Sequence, residues 1–377
     1  MQDERKLTRN LSPTAAWAFS IGTSIGWGSL VVTSNTYLAQ AGPWGSAIGM
    51  IVGGLIMLII TANYAYLMNV YPSSGGAYTY ACETLGHDYG FLTAWFLSLT
   101  YLAVLWANAT SIPLFARYLL GDIFKIGHLY TLFGYDVYLG EALLSIACLL
   151  IVALLCARWK HAMAVSMTVL AIVFTLGIVI CFAFAAAQNG LRFEPSYVPD
   201  RSAFSQVVKI AVISPWAFIG FENISHSTEE TRFRNTRFFR ILLISVISTT
   251  VLHIFVTLLS ATAYPPEYAS WLDYIRDHDN LEGLKGLPAF YAAEHYMGSF
   301  GVVTLMLVLL SLIVTSLIGN ITAVSRLFYA MGRDGVLPGR FGKLNSRQIP
   351  GSAILLVAAY RRFSRSSDEP PSVGSWT

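Results

Sequence analysis

The sequence predicts an all-α polytopic membrane protein, and three observations carry that prediction. Hydrophobic residues make up 55% of the 377 and charged residues only 12%, where a typical soluble domain is about a quarter charged. From Asn10 to Cys82 there is no Asp, Glu, Lys, Arg or His. A spanning helix needs ~20 apolar residues, so this run holds two spans. Beyond it, apolar stretches of helix length recur down the chain between clusters of charge, Gly and Pro.

The first dozen residues, "MQDERKLTRNLS", are charged and polar. They lack the short apolar core and small-residue cleavage site of a signal peptide. Residues 1–13 therefore read as a cytoplasmic tail, and residues 14–360 as one transmembrane domain. Its spans fall at 14–40, 44–70, 89–117, 139–157, 163–188, 205–228, 241–263 and 299–325, with a partial ninth from Gly351 to Tyr360. The segment 264–298 is rich in aromatics and mixed charge, which predicts short interfacial helices in a surface loop. With the N-terminus inside, fourteen Lys and Arg lie on inner segments and seven on outer ones. That bias follows the positive-inside rule and predicts a multi-pass protein of the plasma membrane with its N-terminus inside.

The ninth span, "PGSAILLVAAY", turns polar within one residue. Ten apolar residues do not cross ~30 Å of hydrocarbon. Two readings of 361–377 stand, a genuine polar tail or a change of reading frame near Tyr360, and the abruptness favours the second.

Two spans are broken in the middle. The first contains "AFSIGTSIGWGSLVV", with Gly22, Gly26 and Gly28 around Trp27. The sixth contains "VISPWAFIGFENISHS", with Pro215 and Gly220. "SIGW" and "FIGF" are both Ile-Gly-aromatic in mid-span, and they lie five spans apart. An odd offset reverses direction through the membrane, which is the mark of an inverted repeat. In lipid every backbone polar group must be paired, so an unwound stretch survives only where it lines a cavity. There its free N–H groups and positive helix end suit a carboxylate, and its free C=O groups suit an ammonium group. A zwitterion carries both. By contrast Gly45, Gly49 and Gly53, at four-residue intervals, read as a helix-packing stripe.

Four stretches then carry a family resemblance: "GTSIGWGS", "YPSSGGAYTYACETLG", "PWAFIGFENISHSTEE" and "SRLFYAMGRDGVLP". In order and spacing the chain resembles the amino acid–polyamine–organocation permeases over roughly residues 10–358. The resemblance implies a five-plus-five inverted-repeat transporter fold with spans 1 and 6 unwound, here with the second repeat incomplete. It implies secondary transport of amino acids or related amines by alternating access. The substrate carboxylate would meet the backbone of Ser24, Ile25, Gly26, Trp27 and Gly28, with Thr23 nearby. The amine would meet carbonyls near Phe218 and Ile219 at the Gly220 break, and Trp216 and Phe221 resemble the family's aromatic gates. Trp27 stands where the family often has a small residue, and it either narrows the pocket or packs on a neighbouring helix. The alternative to a permease is a non-transporting fragment that is inactive or needs a second chain.

Glu222 follows the sixth-span break, and an intramembrane carboxylate is a functional candidate by default. It would couple transport to protons or sense pH, or else cap freed backbone groups. A sodium site is the second coupling candidate, built by resemblance from carbonyls of Gly22 and Ile25 with Thr315 and Ser316. Uncoupled exchange is the third. His226 and His253 read as bundle residues, and Asn63 and Asn108 as interhelical hydrogen-bonding residues. Glu229 and Glu230 are expected to pair with Arg232, Arg234 or Arg326.

The chain contains no HExxH, GxSxG or Walker A sequence, and its four cysteines form no CxxC. An enzyme, a resident cofactor or metal, and a nucleic-acid partner are not expected. The partners expected are an amino acid substrate and the bilayer, and oligomeric state is not legible.

Overall fold

A computed structural model describes residues 7–132, 135–277, 280–281 and 283–359. The tail 361–377, and most of the N-terminal tail, lie outside the described residues. Helix α1 spans Pro13–Ser24, opened by Pro13 and by the Ser12 hydroxyl, which accepts from the Ala15 N–H. It stops at Ile25, whose backbone is extended, and the chain restarts as α2, Gly28–Val32, continued by a π-helical turn over Thr33–Tyr37. Helix α3 covers Leu38–Val70 but holds a non-helical Gly42 before Pro43. The helix is kinked there, and the first two expected spans appear as one helical run, Gly28–Val70.

The rest follows in order. Helices α4 (Ala77–Leu85) and α5 (His87–Leu120) precede a two-stranded antiparallel hairpin, β1 (His128–Leu132) and β2 (Tyr135–Tyr138). Then come α6 (Leu139–Arg158), α7 (Lys160–Asn189) and α8 (Ala203–Ile213). Helix α9 (Phe238–Ala261), the short α10 (Trp271–Asp277) and α11 (Pro288–Met297), the long α12 (Ser299–Arg333) and α13 (Gly351–Ala359) complete the described chain. Among the described residues, seven helical runs are long and apolar enough to cross a membrane by length and composition. The difference from eight expected spans arises at Gly42 and at the break after Ser24, which leaves α1 too short to count alone.

Helix α12 is the central post, packed against α7, α5, α1 and α6. Helix α1 lies between α7, α9 and α12. Hydrophobic side chains that face outward, such as Ile51, Leu55 and Ile59 on α3 and Leu150 and Ile151 on α6, form the surface for lipid. The protein is an integral membrane protein.

Helix association in lipid depends on close packing, which small residues permit. A Cβ at Gly49 would lie 2.5 Å from Ile210 Cβ, and one at Gly53 1.7 Å from Ser214 Oγ. The stripe on α3 is thus the groove that receives α8. The segment 264–298 forms two short helices, as its composition suggested, but it is not a loose surface loop. Trp271 and Tyr274 are buried against Leu38, Ala47, Phe193 and Leu258. The hairpin was not signalled by the apolar pattern. It is held by Arg117, which makes a paired contact with the Glu141 carboxylate, donates to the Asp136 carbonyl (2.6 Å) and lies over the Tyr135 ring.

Candidate substrate and coupling site

The two interrupted helices meet at their breaks. Between α8 and α9 the chain first forms a 3₁₀ turn, Ser214–Phe218, opened by Pro215. It then reverses at Gly220 and continues as a 3₁₀ helix over Phe221–Glu230. That stretch, "FENISHSTEE", is rich in residues that bond their own backbone. Thr228 donates to the Ser225 carbonyl (2.6 Å) and Thr231 to the Thr228 carbonyl (2.9 Å). Such local bonds compete with α-helical pairing. Gly220 has φ +100°, and a Cβ there would lie 2.7 Å from the Thr23 carbonyl oxygen. Only glycine meets both demands.

Two hydroxyls of α1 fasten the breaks together. Thr23 Oγ1 lies 2.7 Å from the Gly220 carbonyl oxygen, and Ser20 donates to the Phe221 carbonyl at 3.0 Å. Ser24 turns back and donates to the Ser20 carbonyl (2.7 Å). Among the described hydrogen bonds, none is donated by the backbone N–H of Gly26 or Trp27, and none is accepted by the carbonyls of Phe218 or Ile219. Freed donors on one break and freed acceptors on the other are the complement of a zwitterion.

The other named residues surround this junction unequally. Phe221 is buried and its ring meets Tyr64 edge-on at 5.4 Å. Trp216 is 48% exposed and Ile219 37%, whereas Phe218 is buried near His253. Trp27 packs on a neighbouring helix, its ring 5.9 Å from Phe115 of α5 in an edge arrangement. Gly22 faces the carbon side of Thr315: a Cβ at Gly22 would lie 2.9 Å from Thr315 Cβ and 3.1 Å from the Met167 methyl. The Thr315 hydroxyl donates to the Ser311 carbonyl (2.8 Å), and the Ser316 hydroxyl lies 3.3 Å from the Asn320 amide nitrogen.

Glu222 does two things at once. Its Oε2 accepts from the Gly220 N–H (3.0 Å), and its Oε1 lies 3.2 Å from the Tyr101 hydroxyl. Tyr101 also reaches His226 Nε2 at 3.1 Å. Sequence reasoning missed Tyr101 and took Asn108 only as an interhelical contact. Asn108 Oδ1 is buried without a hydrogen-bond partner and would lie 3.6 Å from a Cβ on Gly26. Ser98, Tyr101, Leu105 and Asn108 recur at helical spacing and all are buried, but the sequence of α5 is apolar all round and does not mark that face.

Nearer the N-terminal segment, a charged cluster ties three helices. Glu230 is buried, takes a bond from Arg326 Nε (2.8 Å) and lies 3.3 Å from Lys160 Nζ. Its backbone carbonyl accepts from the N–H groups of Asn10 and Leu11. Of the expected pairings, Arg326 takes Glu230. Arg232 instead donates to the Arg9 carbonyl, and Glu229 meets Arg333 and the Ser74 N–H. Helix α4, absent from the span list, begins beside this cluster. Tyr78 on it donates to Asp334 (3.0 Å), and burial, then the Asp334 bond, raises its pKa.

An apolar bundle with two mid-span breaks that meet each other is the architecture of a secondary transporter. The chain belongs to the family described as amino acid permease, whose model matches residues 11–362. A methylthioribose transporter of Bacillus subtilis (strain 168) is 27% identical over 343 residues, covering 90% of this chain and 71% of its own. The branched-chain amino acid permease BcaP of the same organism is 24% identical, covering 91% and 71%. The low-affinity putrescine importer PlaP of Escherichia coli (strain K12) is 24% identical, covering 81% and 64%. In fold, the chain is similar to a Na+-coupled sialic acid symporter solved in a substrate-bound outward-open state. The TM-score is 0.59 at 12% identity, over 94% of this chain and 72% of the other.

Proposed function

We propose that this permease carries an amino acid or a related amine across the plasma membrane, with its N-terminus inside, and that Glu222 couples the movement to protons. The facing breaks carry the reading. Unpaired N–H groups at Gly26 and Trp27 suit the substrate carboxylate, and unpaired carbonyls at Phe218 and Ile219 suit its ammonium group. Thr23, Ser24, Ile25, Gly28 and Gly220 build that backbone, and Trp216 and Phe221 flank it. Relatives named for branched-chain amino acids and putrescine support an amine-bearing substrate. Two of the three groups compared share one feature, an ammonium group beside an apolar body.

Protons are favoured over sodium by geometry. On the side of Gly22 that a Cβ would occupy, the neighbours are Thr315 carbon and the Met167 methyl rather than oxygen, and a hard cation wants oxygen. Glu222, in contrast, sits one residue from the Phe221 carbonyl that Ser20 holds and bonds the break itself. An ionised Glu222 holds the Gly220 N–H by a charge-assisted bond, and a carboxyl protonated on either oxygen accepts more weakly, so the proton count and the break geometry are tied.

The test is uptake of radiolabelled amino acids and diamines into liposomes holding the purified chain, with an imposed proton or sodium gradient. Acid-driven uptake that Ser24→Trp abolishes, and that Glu222→Gln makes independent of pH, is the expected result. Uptake driven by sodium alone overturns the coupling assignment. Normal substrate binding by Ser24→Trp overturns the site.

A further inference from the structure

His226 is the buried titratable group that this coupling scheme leaves unused. It lies one helical turn beyond Glu222, fully buried, with three polar contacts in series. Glu222 Oε1 is 3.2 Å from the Tyr101 hydroxyl, that hydroxyl is 3.1 Å from His226 Nε2, and His226 Nδ1 is 3.2 Å from the Ser74 carbonyl oxygen. The Tyr101 and His226 rings meet at right angles, 5.5 Å apart.

The number of hydrogens restricts what this chain of contacts can be. A carbonyl oxygen only accepts, so the Ser74 contact requires a hydrogen on Nδ1. Tyr101 has a single hydroxyl hydrogen for two neighbours. Two arrangements satisfy every contact. In one, Glu222 is protonated and donates to the Tyr101 oxygen, and Tyr101 donates to a neutral His226. In the other, Tyr101 donates to an ionised Glu222, and an imidazolium His226 donates to Tyr101. They differ only by two hops of a proton. The Glu222 O–H bond breaks as Tyr101 gains that hydrogen, and the Tyr101 O–H bond breaks as Nε2 gains the other. Tyr101 is a neutral phenol before and after, and total charge is unchanged.

We propose that Tyr101 and His226 form a proton relay that takes the Glu222 proton from the helix breaks toward the face bearing the N-terminus, with His226 as the exchange group at that end. This rests on Glu222 as the coupling residue. The turn that covers His226 fits the role. Gly76 has φ +53°, and a Cβ on it would lie 2.9 Å from the imidazole Cε1 and Nδ1. The Ser74 N–H and hydroxyl are tied outward to the Glu229 carboxylate, at 2.9 and 3.1 Å. The turn that covers Nδ1 is thus tied through Ser74 to a partly exposed carboxylate, which itself meets Arg333. The other titratable groups facing the chain are Tyr64 of α3, Tyr80 of α4 and Arg326 of α12, and Arg326 is held by Glu230. The Tyr80 hydroxyl makes no hydrogen bond to any member of the chain, which leaves it outside the relay.

The experiment has two readouts. In liposomes, the ratio of proton-driven uptake to substrate counterflow at equal pH is compared among wild type, His226→Gln, Tyr101→Phe and the control His253→Gln. Gln accepts from Tyr101 but holds no second proton. The ratio falls about a hundredfold in the first two, the low end of what a positioned proton-transfer group contributes, and not in the control. An unchanged ratio in His226→Gln overturns the relay. The second readout needs no transport. In bilayers, the Glu222 carboxyl is followed by infrared titration and the His226 ring by nitrogen NMR. In wild type the two change together, as a coupled pair does, and in Tyr101→Phe they separate. Independent titration in wild type overturns the relay even where wild type shows proton-driven uptake. Joint titration without proton-driven uptake upholds the relay and overturns the coupling role of Glu222.

Discussion

Gly220 and Thr23 touch backbone to backbone. A single methyl on Gly220 would sit 2.7 Å from the Thr23 carbonyl oxygen and 3.0 Å from its carbon. The two broken helices are thus joined at the residues where each stops being a helix.

Gly220→Ala is therefore predicted to act on transport before it acts on assembly. The strain of a non-Gly residue at this positive φ is about 1–3 kcal/mol, and the clash with Thr23 adds to it. Thermal unfolding in detergent is expected to shift down by a few degrees while substrate uptake is lost. Thr23→Val is the companion variant. It keeps the volume, removes the bond to Gly220, and is expected to weaken substrate binding several-fold without a comparable loss of stability.

The breaks were legible because glycine and proline punctuate an otherwise unbroken apolar text. Gly26, Pro215 and Gly220 announce themselves in any reading. What surrounds them was not legible. Helix α5 is apolar on every side, so which of Tyr101, Trp106 and Asn108 turns inward depends on a rotation that composition does not set. Only the fold shows Tyr101 and Asn108 buried and Trp106 42% exposed. The Ser74 turn and His226 are 152 positions apart in sequence, and their contact is a product of topology. The hairpin escaped for a different reason. Its short strands carry no apolar alternation and are held by Arg117 near the end of the preceding helix α5.

Asn108→Leu tests the part of the site that sequence reasoning passed over. Asn108 Oδ1 is a buried acceptor beside Gly26, and its amide nitrogen is used on the Val104 carbonyl (2.7 Å). Leucine of similar volume keeps the packing and removes the acceptor. A site that hydrogen-bonds its substrate loses about 1–3 kcal/mol when one partner goes. The apparent KM for the preferred amine is expected to rise about tenfold or more, with little change in protein yield.

The Glu230–Arg326–Lys160 cluster gives a stability prediction. All three side chains are mostly withdrawn from solvent, with exposures of 2%, 1% and 10%. Arg326→Met leaves Glu230 with Lys160 alone and is expected to destabilise by about 3–5 kcal/mol, as removal of one partner from a buried pair does. The double change Glu230→Gln with Arg326→Met removes both charges and is expected to recover a large part of that loss. A double variant as unstable as the sum of its parts contradicts a direct pairing.

The segment over the opposite face supplies a pH prediction with a defined sign. Lys285 donates to Glu267 (2.6 Å), joining the segment before α10 to the turn before α11. That bond lowers the Glu267 pKa and raises the Lys285 pKa. A carboxylate whose folded pKa is depressed contributes stability above its unfolded value and loses it as pH falls through the folded one. A lysine whose folded pKa is raised contributes below its unfolded value and loses it as pH rises through the folded one. The link is therefore intact between the acid range of Glu267 and the alkaline range of Lys285, and it opens at either end. Both groups are about half exposed, at 48% and 49%, so the effect is local and weakened by salt. Hydrogen exchange over residues 264–298 is expected to quicken as pH drops below the ordinary carboxylate range, once corrected for the intrinsic rate. Glu267→Gln is expected to show the faster exchange already at neutral pH, and a variant with wild-type protection there removes the link from the account of this segment.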